Sequence, residues 1–204
     1  IKGCLGIPLA VLPGYIGTVV VEAGRVVTVT YLPSRHTPKY EEYQHVADEI
    51  EKRRAFVAVA ARNGSFRLEG GMEAMEGARF LRTLKAIDPT LGLYSAYAYA
   101  QAGDLEGIES VFEYMSREPE PVLFDVAMLT NKLDLRSRAT NRPFKVAPFC
   151  PMLTQGWALI DANEVWLPAV VRRARENLLP GLWTTFGEMG VRKLWSHIED
   201  GGVV

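Results

Sequence analysis

Residues 88–115, DPTLGLYSAYAYAQAGDLEGIESVFEYM, constrain the fold more than any other stretch of this chain. Asp88 is a good N-cap, because its carboxylate can accept backbone N–H bonds. Pro89 at the first helical position gives up only a donor that has no partner there. Leu93, Tyr97 and Ala100 form a stripe at helical spacing, with Ala96 and Tyr99 beside it. Gly103 suits the left-handed conformation that ends a helix. Ile108, Val111, Phe112 and Met115 then supply the apolar face of a second helix, which Pro119 and Pro121 stop. The stretch therefore reads as two antiparallel helices folded about Gly103–Asp104.

Around it the chain reads as mainly α, a helical bundle with an N-terminal β-hairpin. Residues 18–31 are dense in β-branched side chains on both sides of Glu22-Ala23-Gly24-Arg25, which predicts two strands and a tight turn. A two-stranded hairpin is marginal alone, so a helix should cover it, and an uncovered edge could pair with another chain. Thr37-Pro38 predicts a helix reaching about Asn63, with Ile50 and Val57 inward and a charged outer face that includes Arg53 and Arg54. Further helices are expected over 73–87 and 122–133, after Pro168, and around Val191, Leu194, Trp195 and Ile198. All four tryptophans lie in the last 55 residues or so, and at least two belong in a core. Three segments follow: 1–36 with the hairpin, 37–134 helical, and 135–204 comprising a basic linker and a Trp-rich helical region.

Composition narrows function by exclusion. A net charge of −1 over 204 residues disfavours a surface built for nucleic acid. The uncharged run 3–21 is broken by Pro8, Pro13 and glycines, so it reads as a lead-in to the hairpin, with a signal peptide as the alternative and no other membrane candidate. Two distant cysteines, Cys4 and Cys150, favour a reducing, cytoplasmic setting. A chain beginning at Ile1 reads as processed or as a piece of a longer polypeptide. No cofactor or metal is expected, because two cysteines and three histidines are scattered without ligand spacing.

The residues at 88–115 resemble a single tetratricopeptide-type helical hairpin. Asp88-Pro89 matches its Asp-Pro, and Ala96, Tyr99, Gly103 and Phe112 fall on its small, aromatic, turn-glycine and aromatic positions. Gly92 and Ser95 stand where that family has a large aromatic and a leucine. Such hairpins bind protein segments in a groove lined by the first helix, so the resemblance implies partner contacts from Tyr94, Tyr97 and Tyr99. Three tyrosines this close span much of the helix circumference, and Tyr94 is the one expected to be exposed. The resulting expectation is a non-catalytic interaction, adaptor or regulatory domain with a protein partner. Two alternatives are a cysteine hydrolase pairing Cys150 with His36, His45 or His197, and an anion-binding module using Arg136, Arg138, Arg142 and Lys145. Oligomeric state is not legible. Gly103→Val should cost far more than Gly107→Ala, because only Gly103 should need a positive φ.

Overall fold

The computed structural model describes residues 4–117, 119–133 and 144–201, and they form a mainly α fold with minor β structure. The hairpin pairs β1 (Tyr15–Glu22) antiparallel to β2 (Arg25–Pro33), with a bulge opposite Val20/Val21. Ala23 and Gly24 both take positive φ, which makes the two-residue turn whose twist matches paired strands. Val26, Val29 and Tyr31 of β2 face the core, while β1 is exposed along most of its length.

Five helices follow: α1 (Lys39–Ala60), α2 (Gly71–Arg82), α3 (Pro89–Ala102), α4 (Leu105–Arg117) and the short α5 (Phe124–Leu129). Thr37 does not cap α1; its hydroxyl donates to the Ser34 carbonyl instead. Where one helix was expected over 122–133, Val122–Leu123 (β3) pairs parallel with Val146–Ala147 (β4) and only six residues turn helical. The C-terminal region contributes α6 (Ala169–Ala174) and α7 (Glu188–Glu199). Between them runs an extended segment whose Phe186 bridges Gly6 and whose Trp183 bridges Leu153. The N-terminal lead-in is thereby fastened to the C-terminal region, and buried residues from Ala10 to Leu194 form one connected core.

The centre of that core is α3. Eleven of its fourteen residues are buried, so it has no outer face. Asp88 caps it as the sequence predicts, accepting from Thr90 N at 3.0 Å, and Gly103 ends it at φ +71°. Gly92, where the resembled family carries a large aromatic, yields its space to Met115 of α4. Trp157 and Trp183 are buried, whereas Trp166 and Trp195 are exposed. Trp195 and Ile198 thus depart from the expected inward face of α7, which only Leu194 occupies as a buried apolar side chain.

Gly107 overturns one expectation. A Cβ there would drive into the Tyr99 ring and lie 2.7 Å from an Asp104 carboxylate oxygen. The glycine is needed for close approach of α4 to α3, not merely tolerated in a helix. Gly107→Ala is therefore expected to cost about 1–3 kcal/mol by overpacking, comparable to Gly103→Val at its left-handed position. Thermal melts of both variants check this; a Gly107→Ala protein melting like the parent would remove the close-approach argument.

Candidate functional site

The three tyrosines show why the expected groove on α3 does not form. Tyr94 is 4% exposed, its ring packed on Phe66 at 5.0 Å and edge-on to Trp183 at 5.9 Å. Tyr97 donates its hydroxyl to Asp125 at 2.7 Å, and the Tyr99 hydroxyl accepts from Arg82 at 3.2 Å. They do span the helix circumference, but each points into a different packed neighbour. The assignment of Tyr94 as an exposed contact is corrected accordingly: α3 is packed on every side over residues 89–99, so its tyrosines serve the core and not a groove lined by this helix's outer face. Its sequence carries the sign of this, since residues 89–102 contain no charged side chain.

Cys150 is likewise fully buried. Burial, with the nearby Asp125 charge, pushes its thiol well above the ordinary value, so the sulfur stays protonated. His36 and His45 are exposed, and His197 is half-buried on α7. A sealed thiol is not presented to a substrate from outside, and Cys150 packs as a small core side chain. Both cysteines are free. Arg136, Arg138 and Arg142 lie outside the described residues; Lys145 is exposed, and its backbone carbonyl accepts from Val122 N at 2.8 Å.

What the fold does open is a cleft of about 1450 Å³ beside β2. One wall is β2 from Arg25 to Thr30. A second is the C-terminal part of α1 from Glu51 onward, with the turn through Ala61, Arg62 and Asn63 that follows it. The third is the extended segment Leu179–Trp183, and Leu91 and Tyr94 of α3 lie at its base. Ala55 and Ala58 lie about one turn apart on α1, Arg62 follows in the turn after it, and all three are exposed and line the cleft. Two alanines, where longer side chains would fill the space, keep the cleft open.

The inner end of the cleft is pinned by a buried charge cluster. Asp88 is fully buried and takes hydrogen bonds from Arg54 Nε at 3.1 Å and Nη2 at 2.8 Å, besides its two from Thr90. The Tyr31 N–H reaches it at 3.5 Å, and Arg54 also contacts the Tyr31 carbonyl. Burial pushes the Asp88 carboxyl above its usual value, against the pull of Arg54 and Thr90. Burial weakens the Arg54 charge, but Asp88 and Glu51 outweigh it and the guanidinium holds its proton more tightly than usual. Sequence reasoning placed Arg54 on the solvated face of α1; only the fold brings it across to Asp88.

Around the cleft, several polar groups are left over. Arg25 and Arg62 are exposed and form no ion pair among the described residues, and Glu22, opposite Arg25 in register, does not reach it. Glu51 is spent on Arg54 at 2.7 Å. Thr154 Oγ1 and Trp183 Nε1 are buried without a hydrogen-bond partner among the described residues.

A second buried carboxylate, Asp125, joins α3, α5 and the 150–154 segment by accepting from the Tyr97 hydroxyl, Met152 N at 2.7 Å and Leu153 N at 3.3 Å. These bonds make it a structural tie. No family model, curated protein or solved structure matches the chain. Among the described residues no helix is long and apolar enough to cross a membrane.

Burial raises the Asp125 carboxyl from 3.8 to about 6, against the pull of its three donors. Between those values the folded chain binds a proton that the unfolded chain does not. The stability linked to this group is thus fully present below the lower value and is lost as pH rises through the upper one. Relative to Asp125→Asn, the wild-type chain is expected to gain on the order of 1–3 kcal/mol as pH falls from about 7 to about 4.5. Urea midpoints of both proteins across that range measure it, and a pH-independent difference would contradict the assignment.

Proposed function

We propose that this chain is a non-catalytic interaction domain that receives a segment of a protein partner in the cleft between β2, α1 and residues 179–183. The observation that carries the reading is the cleft's size and lining. Its volume of about 1450 Å³ exceeds the roughly 300–1,000 Å³ usual for small-molecule pockets. The β2 wall runs over six residues and the α1 wall over nearly three turns, lengths of roughly 15–20 Å. Such lengths suit an extended polypeptide of about five or six residues. Apolar side chains for contact come from Val27, Ala55, Ala58 and Leu182.

The non-catalytic part of the reading is supported by how the buried acids are used. Asp88 and Asp125 direct their oxygens to backbone and side-chain donors that hold the fold together. The resemblance of 88–115 to a tetratricopeptide-type hairpin favours the same broad class of function, with the binding surface moved off α3 to the cleft.

Ala58→Trp would fill the cleft from an exposed position, with little effect on folding. Peptides enriched from a random display library on the wild-type chain are expected to bind this variant at least about tenfold more weakly, a change of about 1.4 kcal/mol, while its melting temperature stays close to the parent's. Enriched peptides that bind both proteins equally would place binding elsewhere and sink the proposal.

A further inference from the structure

The cleft is not electrically neutral, and its asymmetry indicates what kind of segment it takes. Arg25 stands at the turn end of β2, and Arg62 lies in the turn that follows α1. Both line the cleft, both are exposed, and neither has an ion-pair partner among the described residues. The cations deeper in are accounted for, because Arg54 is shared between Asp88 and Glu51. The unpaired charge of the cleft is therefore positive and sits on its exposed lining at Arg25 and Arg62.

The base has the opposite character. Leu91 and Tyr94 lie there nearly fully buried, and beside them half-buried Leu182 and exposed Val27 offer the accessible apolar surface. Trp183 Nε1 is a donor only, and it is buried without an acceptor. The neighbouring Thr154 Oγ1 is also buried without a partner. An extended chain matches the length of the β2 wall that lines the cleft. It also sends alternate side chains to opposite sides. One set would face the apolar base while the other faces the arginines.

We infer that the occupant is an extended protein segment of alternating apolar and acidic residues, its carboxylates meeting Arg25 and Arg62 and its apolar side chains seated on the base between Ala58 and Leu182. This rests on the reading of the cleft as a protein-binding site. A single-stranded nucleic acid would also carry negative charge, but it needs open aromatic faces for its bases. The Tyr94 and Trp183 rings are packed edge to face within the core and present no such platform.

The test uses synthetic probes on the whole chain. A fluorescent peptide of alternating leucine and glutamate, its leucine–lysine counterpart and an oligothymidylate are titrated against wild type by anisotropy. The glutamate peptide is expected to bind best and to weaken severalfold as salt rises from about 0.05 to 0.5 M, as rim charge pairs do. Arg25→Glu combined with Arg62→Glu should weaken it by about tenfold or more, the paired Gln variants by less, and Ala58→Trp should prevent binding. Tighter binding of the lysine peptide or the oligothymidylate would overturn the proposal. So would a glutamate peptide whose affinity ignores the charge reversals. If the glutamate peptide fails while library-selected peptides still bind in an Ala58-dependent way, the acidic specificity falls and the cleft reading stands. If selected peptides ignore Ala58→Trp as well, both fall together.

Discussion

The carboxylate of Asp88 is the constraint on which the rest of this structure depends. It is fully buried, yet it serves three elements at once: it caps α3 through Thr90, holds Arg54 of α1, and accepts from the backbone of Tyr31 in β2. A buried carboxylate is costly unless it is paired and hydrogen-bonded. Only the arrangement that brings α1, β2 and α3 together at this point supplies those partners. The cluster fixes where the hairpin leans on the helices and so sets the inner end of the cleft. It also closes β2's inner edge at Tyr31, where an open edge would invite pairing.

From that point the cleft follows without any dedicated device. α1 meets β2 where Arg54 reaches Tyr31, and the cleft lies between their remaining stretches, β2 from Arg25 to Thr30 and α1 beyond Arg54. Alanine at 55 and 58 leaves that space unfilled. Residues 179–183 close the third side because Phe186 and Trp183 are bridged to Gly6 and Leu153. The site is thus built from pieces far apart in the chain, held by contacts that serve stability first.

This explains which features were legible in the sequence. The Asp88-Pro89 cap, the Gly103 stop and the apolar face of α4 are local patterns, and the fold reproduces each. The hairpin turn at Ala23-Gly24 was legible for the same reason. Arg54 was not, because an arginine on a charged helix face reads as solvated until the partner carboxylate is found 34 positions away. Asp125 was hidden in a stretch that reads as an amphipathic helix. Tyr94 was misplaced by treating α3 as a helix with an outer face, although its lack of charge already argued otherwise. The cleft itself could not be read, since it depends on long-range placement of small residues whose local meaning is only helix propensity.

The account is tested most directly by a double-mutant cycle on the pair that anchors it. Arg54→Met, Asp88→Asn and the double variant are compared with wild type by urea denaturation. Arg54→Met leaves a buried carboxylate without its cation and is expected to cost about 3–5 kcal/mol. The double variant should lose less than the sum of the single losses, with a coupling of roughly 1–3 kcal/mol. Additive losses, or an Arg54→Met protein as stable as the parent, would show that Asp88 does not hold α1 and β2 in place.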